Sequence, residues 1–321
     1  MLDDLFMVRS AGPRAAQAPV ELYAPESTVM MKSRGWSSDP FEADNPEPGV
    51  PLYYRLPEGI EGPLEITILD TDGHTVRRYS SEEGQFERCL IHNMDPRSPY
   101  EPEYPSVKAG LNRWNWDLNR QGFTCVEDMT LFAGLEGPTA MPGAYTARIK
   151  AGGHTAEAGF SIRMDPRISA STAELADWSA RLDETAALLE GILSSLGQLR
   201  KAEGQIRTLM ADYPANDDLQ QAGRDALAVI EAWDHEIIQP LHETYEDEDA
   251  WETRLAGQVR HLLDVIDSTG APVTEGALLR LRDLQNEWAV LESRLETIRS
   301  EHIDPINAWA RNEAVPHVSR E

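Results

Sequence analysis

The chain has 321 residues, with 55 acidic and 29 basic side chains and a formal net charge of −26 at pH 7. A phosphate backbone needs clustered Lys and Arg, so DNA, RNA and anionic membrane surfaces are poor partners for this composition. The length is sufficient for two domains. Residues 169–321 alone carry 30 acids against 13 bases, a net charge of −17, which predicts a strongly solvated acidic surface for the second half.

Targeting signals are not visible in the chain as it is written. No stretch approaches the run of about 18 apolar residues that a membrane-spanning helix needs. The first ten residues, MLDDLFMVRS, contain acids where a signal peptide has a basic start. We therefore expect no membrane insertion, and the sequence itself does not indicate a compartment. Cys89 and Cys125 predict neither a disulfide framework nor a metal cluster, because only two cysteines are present.

Residues 1–44 are rich in Pro, Ala and Ser, which predicts an extended N-terminal segment with one short strand in VELYAP at 20–25. Residues 45–168 have the features of antiparallel β structure. A strand follows the turn in NPEPGVPLYYRL, and two more flank the Asp72-Gly73 pair, a favoured hairpin turn. The proline-rich stretch 85–108 predicts a long surface loop, since proline cannot donate to a strand ladder.

The runs GLNRWNWDLNRQG at 110–122 and MPGAYTARIKAGG at 141–153 predict two further strands. A last strand over 154–164 follows a Gly152-Gly153 turn. Period-2 alternation places Trp114 and Trp116 on one face, which we expect to point inward. Six or seven short strands of this kind predict an immunoglobulin- or fibronectin-like β-sandwich over 45–168.

Residues 169–321 change to an Ala-, Leu- and Glu-rich composition with apolar residues at helical spacing. Helices are predicted over about 172–212, 217–245, 250–268 and 274–312. Helices of this length need long partners, so an antiparallel helical bundle follows. The remaining tryptophans lie at positions compatible with the apolar stripes of that bundle: Trp178, Trp233, Trp251, Trp288 and Trp309.

Seven motifs in a fixed order carry a resemblance that covers nearly the whole chain: LDDL (2–5), NPEPGVPLYYRL (45–56), LEITILDTDGHTVR (64–77), GLNRWNWDL (110–118), PGAYTARI (142–149), FSIRMDPR (160–167) and GAPVTE (270–275). In this order they resemble the region after the β-propeller in sortilin-like, Asp-box (bacterial neuraminidase repeat, BNR) proteins that are often labelled glycosyl hydrolases. The resemblance implies that LDDL is the exit from a propeller blade, and that the Asp boxes and any sugar chemistry belong to the propeller. It also implies a secreted or periplasmic protein.

These observations predict a non-catalytic accessory or interaction module that contacts a β-propeller or another protein partner. A homodimer formed through the helical bundle is a further candidate assembly. Two alternatives remain open: a glycoside hydrolase, as the family label implies, and a carbohydrate-binding module.

The motifs that imitate catalytic or metal sites are incomplete. DTDGHTV at 70–76 has Thr71 and Val76 where an Asp box has Asp and Trp, and its Gly73 is misplaced for a calcium loop. HEIIQ at 235–239 has Gln239 where a zinc-protease helix has its second His. Glu231, His235 and His242 predict a polar stripe rather than a metal site, and no cofactor is expected.

Aromatic side chains in the proline-rich loops are the remaining candidates for ligand binding. Trp36, Phe41, Tyr100 and Tyr104 have no evident role in a hydrophobic core. Loops on a rigid scaffold commonly carry binding residues, and stacked aromatic rings suit a sugar. The catalytic residues of any hydrolase activity are not identifiable, because spacing alone cannot select a carboxylate pair among 55 acids.

Overall fold

The computed structural model describes residues 19–31, 47–92, 102–131, 134–243, 247 and 249–320. The chain forms two compact units and passes between them several times. The β unit comprises Met1–Arg88, Glu101–Gly122 and Glu136–Ser171. The helical unit comprises Cys89–Tyr100, Phe123–Leu135 and Thr172–Glu321. The sequence predicts one β domain over 45–168, whereas the structure includes two segments of that range in the helical unit.

Eight strands form among the described residues: β1 Glu21–Leu22, β2 Thr28–Met30, β3 Val50–Leu56, β4 Glu65–Leu69, β5 Thr75–Ser80, β6 Gly110–Trp116, β7 Gly143–Ala151 and β8 His154–Met164. One sheet has the order β1-β3-β6, and the other, a curled half-barrel, has the order β2-β8-β7-β4-β5. The pairs are antiparallel as predicted, apart from the parallel pair β2–β8. The immunoglobulin-like sandwich is not confirmed by this arrangement.

Local sequence explains why these strands form. In β3 the residues Val50, Leu52, Tyr54 and Leu56 are buried and alternate with half-buried neighbours, the period-2 pattern of a strand with one core face. The β7–β8 turn is made by Gly152-Gly153, both at positive φ, as glycine allows without steric cost.

The two tryptophans of β6 share a face, as predicted. Trp116 is fully buried, and its Nε1 donates to the Asn119 carbonyl oxygen at 2.9 Å. Trp114 is only half-buried and meets the Tyr79 ring edge-on at 5.1 Å. Asp117 fixes the following turn, because its Oδ1 accepts from the Asn119 backbone N–H at 2.9 Å.

A helix, α1 at Gln85–His92, begins the stretch predicted to be a surface loop, so that prediction is wrong for these residues. The prolines that indicate a loop all lie downstream of this helix, so they do not bear on its residues. The helix starts without a Ser, Thr or Asp cap. Instead, the Gly84 N–H donates to Glu87 Oε2 at 2.9 Å and satisfies one of the free donors of the first turn.

The helical unit contains five further α-helices in the described residues: α2 Thr172–Asp212, α3 Asp217–Ile237, α4 Leu255–Thr269, α5 Glu275–Ile298 and α6 Asp304–Asn312. The predicted bounds of α2 are confirmed. The second helix ends earlier than predicted, because Pro240 disfavours helical conformation in the residue before it, and Ile238 is already extended. The predicted fourth helix is interrupted by a π-helical turn, Arg299–Ile303. Pro305, which lacks an N–H, follows that turn and accounts for the break.

Buried tryptophans pack in the core of the helical unit. Trp178 and Trp233 are almost fully buried and donate their Nε1 hydrogens to the carbonyl oxygens of Ile266 and Leu291, both at 2.9 Å. Trp288 is also buried. Trp309 is half-buried, with its ring edge-on to Tyr213 at 5.2 Å. The prediction for Trp251 is wrong: its side chain is 47% exposed, because it lies in the turn before α4 and not on an apolar stripe.

Cys89 and Cys125 form a disulfide, contrary to the interpretation of the sequence. Pairing requires close Cα atoms, and these are 6.0 Å apart although 36 residues separate them along the chain. Spacing along the chain could not reveal this proximity.

Candidate docking groove

Three of the four predicted ligand-binding aromatics, Trp36, Phe41 and Tyr100, lie outside the described residues. The fourth, Tyr104, is half-buried, so its ring is less open to a sugar than a loop position suggested. Its hydroxyl is enclosed and has no hydrogen-bond partner among the described residues.

The charge around Tyr104 also matters for its chemistry. Burial raises the pKa of the Tyr104 hydroxyl, and the nearby negative charges of Glu83 and Glu87 raise it further, against the opposing effect of Arg88. The phenol is therefore neutral at physiological pH and is not activated as a nucleophile.

The residues that imitate a zinc-protease helix are not assembled into a site. Glu231 and His235 are exposed on α3, whereas Gln239 is buried beyond its end. The Gln239 side chain donates to the Glu252 carbonyl oxygen at 3.0 Å, and His242 Nε2 lies 3.3 Å from the Trp251 carbonyl oxygen. These two side chains fix the connection between α3 and α4.

Asp70, Asp72 and His74 bring three ligand-type atoms within 4.8 Å of one another in the β4–β5 turn. Asp70 Oδ1 accepts from the backbone N–H groups of Asp72 and His74, each at 2.9 Å. Burial raises the pKa of the Asp70 carboxyl, but these hydrogen bonds lower it by more, so the net shift is downward. The hairpin turn predicted from the sequence accounts for the cluster.

The helical unit has a groove of about 300 Å³ beside α3, α4 and α5. Three acids, three apolar residues and two other polar residues line it: Glu236, Glu252, Glu287, Leu255, Val290, Leu291, Arg254 and Gln258. Its volume lies at the lower end of the range of ligand sites in proteins, about 300 to 1,000 Å³.

Buried side chains form a firm floor for the groove. Leu255 and Leu291 are almost fully buried, and the carbonyl oxygen of Leu291 accepts the Trp233 hydrogen bond. Trp233 of α3 and Trp288 of α5 also meet edge-on, with ring centroids 6.3 Å apart. Close packing of this kind holds the groove residues in place.

Val290 is the most exposed of the large apolar side chains in the described residues, at 62%. It lies one position away from the buried stripe of α5, which includes Trp288 and Leu291. An apolar side chain on an exposed wall of a groove adds to the water-accessible apolar surface that a partner can cover.

Among the described residues, only some of the charged side chains on the rim of the groove form ion pairs. Arg254 pairs with Glu252 at 3.2 Å, and Arg294 pairs with Glu236 at 2.7 Å. Glu287 is exposed and has no partner among the described residues. The groove therefore combines an apolar floor and wall with one carboxylate that remains available to a cation.

Arg254 occupies a special position in the rim. It is the N-cap residue of α4, yet its side chain makes no capping hydrogen bond. Its Nε is enclosed without a hydrogen-bond partner in the described residues. Gln258 binds the Thr253 carbonyl oxygen at 2.6 Å and so fixes the chain just before the helix.

Sequence reasoning did not find this groove. Its lining residues come from three separate stretches of the chain, and nothing in their spacing brings them together. The one available signal was Val290, an apolar residue off the helical stripe of α5.

Comparison with protein-family models, with curated proteins and with solved structures finds no match. The resemblance to the post-propeller region of sortilin-like, BNR-repeat proteins therefore stays a prediction. Among the described residues, each helix is too short or too polar to cross a lipid bilayer.

Proposed function

We propose that this chain is a non-catalytic interaction module, in which an immunoglobulin-like β unit accompanies a helical unit that docks onto another protein. In the family that the chain resembles, that protein is a β-propeller. The observation that supports the proposal is the groove beside α3, α4 and α5, where the 62% exposed Val290 adjoins a buried floor and Glu287, which has no partner in the described part of the chain.

The groove has the anatomy of a small protein interface. Such interfaces place apolar contacts at the centre and polar groups at the rim, and a few well-packed residues supply most of the binding free energy. Here Val290 supplies the exposed apolar surface above the buried Leu255 and Leu291, with glutamates around it. The firm floor also lowers the ordering cost of binding, because the residues need not rearrange.

Charge indicates the chemistry of the partner. Residues 169–321 carry a net charge of −17, and the exposed Glu287 carboxylate is unpaired among the residues that the structure describes. We expect the partner to present an apolar side chain flanked by Lys or Arg. Opposite charge speeds the encounter and disfavours acidic competitors.

Fluorescence anisotropy on the full chain tests this preference with two labelled peptides of equal length. One alternates leucine with arginine, and the other alternates leucine with glutamate. We expect binding of the first peptide only, with affinity weakened roughly tenfold by Val290→Ser and by Glu287→Lys. Glu301→Lys makes the same charge change at an exposed residue of the π-helical turn and serves as the matched control.

Two results would contradict the proposal. One is equal weakening by Glu287→Lys and Glu301→Lys, which would indicate general attraction to an acidic protein. The other is turnover of an aryl-glycoside panel by the purified chain that a single Asp or Glu substitution abolishes, which would indicate a glycoside hydrolase.

A further inference from the structure

The segment Phe123–Leu135 is anchored in the helical unit although its described residues form neither helix nor strand. Four of its apolar side chains are buried to 5% exposure or less: Phe123, Val126, Met129 and Leu135. An irregular segment with this much burial requires partners for its backbone polar groups.

Side chains of the helices supply those partners. Glu190 of α2 accepts from the Thr124 backbone N–H at 2.9 Å and from its hydroxyl at 2.5 Å. Arg200 of α2 donates to the Glu127 carbonyl oxygen at 2.5 Å. Arg260 of α4 donates to the Gly134 carbonyl oxygen at 3.0 Å. The segment is thus attached at both of its ends.

The Cys89–Cys125 disulfide adds a covalent tie at the first of these ends, next to Thr124. Cys89 and Cys125 belong to the two short segments of the helical unit that interrupt the β unit in sequence. Their Cα separation of 6.0 Å is typical of natural disulfides. The bond therefore joins two short segments of the helical unit that are separated in sequence.

We infer that this disulfide is a structural clamp on Phe123–Leu135, installed by an external disulfide oxidant, and that the protein matures in an oxidising compartment. Stable disulfides form in secreted, periplasmic and endoplasmic-reticulum proteins, and are rare in the cytosol. This inference rests on the cysteine pair and the buried segment beside it, and is independent of the docking groove.

The exposure of the two cysteine residues sets the order of the exchange. Cys89 is 5% exposed, whereas Cys125 is half-buried. The Cys125 thiolate attacks the disulfide of the oxidant, which releases one oxidant thiolate and leaves a mixed disulfide on Cys125. The Cys89 thiolate then attacks Cys125 Sγ and displaces the second oxidant thiolate. The two cysteines together lose two protons and two electrons, and the oxidant leaves as a dithiol.

The placement of the pair distinguishes a clamp from a catalytic disulfide. Redox-active pairs are commonly close in sequence, as in Cys-X-X-Cys. Here 36 residues separate the cysteines, and Cys89 is buried. The disulfide therefore holds a segment in place and does not undergo catalytic cycles of oxidation and reduction.

The first test follows the thiols in cells that make this chain natively. Acid quenching, maleimide alkylation and mass spectrometry of the full chain should show no adduct without reduction and two adducts after dithiothreitol. Two adducts per chain without reduction would contradict maturation in an oxidising compartment.

The second test examines the clamp and the order of exchange in the purified chain. Reduction should speed hydrogen exchange at Phe123 and Thr124, while α2 residues around Ile192 keep their protection. Unchanged exchange at Phe123 and Thr124 would overturn the clamp. With oxidised glutathione, Cys89→Ser should form a mixed disulfide at Cys125 much faster than Cys125→Ser forms one at Cys89. Equal rates would overturn the proposed order.

Discussion

The two units of this protein bury aromatic side chains in different ways. In the helical unit, the indole N–H groups of Trp178 and Trp233 each donate to a helix carbonyl oxygen. In the β unit, the Trp116 indole N–H likewise donates to the Asn119 carbonyl oxygen, but this unit also buries the titratable hydroxyl of Tyr54, which donates to the Ser106 carbonyl oxygen at 2.6 Å. Arg77 also lies 4.9 Å above the Tyr79 ring.

This difference indicates which unit depends on packing and which depends on protonation. A sealed indole does not titrate, so the helical core responds mainly to lost volume. A buried tyrosine must stay neutral, so the β unit responds to alkaline pH. Each of the following predictions concerns one of the two units.

The largest expected effect is that of Trp233→Ala in the helical unit. Because Trp233 is fully buried and hydrogen-bonded, we expect a loss of about 3 to 5 kcal/mol in the free energy of unfolding. Urea unfolding followed by far-UV circular dichroism measures it. Trp251→Ala, at a 47% exposed site, is the control and should change stability by less than about 0.5 kcal/mol. Equal effects would show that Trp233 does not seal the core.

Loss of the Cys89–Cys125 bond should rank next. The bond spans 36 residues, and the loop-entropy relation assigns it about 4 kcal/mol, or roughly 10 °C in the melting temperature of the helical unit. Thermal melts with and without dithiothreitol measure this loss. The double variant Cys89→Ser, Cys125→Ser should melt at the lower temperature and should not respond to dithiothreitol. A response of that variant would assign the effect to something other than the disulfide.

Alkaline pH should destabilise the β unit in particular. Burial raises the pKa of Tyr54 and of Tyr79 above the ordinary value of about 10. Above about pH 10 the unfolded chain loses these protons while the folded chain keeps them, so stability falls as pH rises. At about pH 11 the buried Tyr54 alone accounts for about 1.4 kcal/mol.

Tyrosinate absorbance recorded together with thermal melts measures this alkaline loss. Tyr54→Phe should cost about 1 kcal/mol at neutral pH through the lost hydrogen bond to Ser106, and should reduce the alkaline loss. An alkaline loss of the same size in Tyr54→Phe and in the parent chain would contradict the assignment to Tyr54.

The smallest effect on stability is expected for Glu287→Lys in the groove. Glu287 is exposed and unpartnered among the described residues, so the free energy of unfolding should change by no more than about 0.5 kcal/mol. Chemical denaturation should give nearly the same free energy of unfolding for Glu287→Lys and for the parent chain. The same preparation of Glu287→Lys should show the weakened peptide binding. A large loss of stability would show that Glu287 has a structural role.

Helix positions were largely predictable because helical signals are local. The apolar spacing of α2 identified its ends at 172 and 212. Pro240 explains why the second helix ends earlier than predicted, and Pro305 explains the interruption of the fourth. The β4–β5 and β7–β8 turns were predictable for the same reason, since Gly73, Gly152 and Gly153 are local requirements.

Long-range features were not predictable from local patterns. The disulfide, the burial of Phe123–Leu135 in the helical unit and the groove around Val290 each join stretches far apart in sequence. Of the predicted site residues, Tyr104 is the one that the structure describes, and it is half-buried rather than presented on an open loop. The residue type alone suggested these aromatics as ligand-binding candidates. Their burial depends on how the whole chain folds.

Site-specific photo-crosslinking from position 290 tests the docking claim most directly. A benzophenone amino acid replaces Val290 in the full chain, in cells that make it natively, and a second version replaces Glu301. The account predicts one discrete adduct from position 290 and none from 301, with the crosslinked partner peptide carrying an apolar residue flanked by Lys or Arg. Equal adducts at both positions, no adduct at 290, or an adduct only with a second copy of the chain would contradict it.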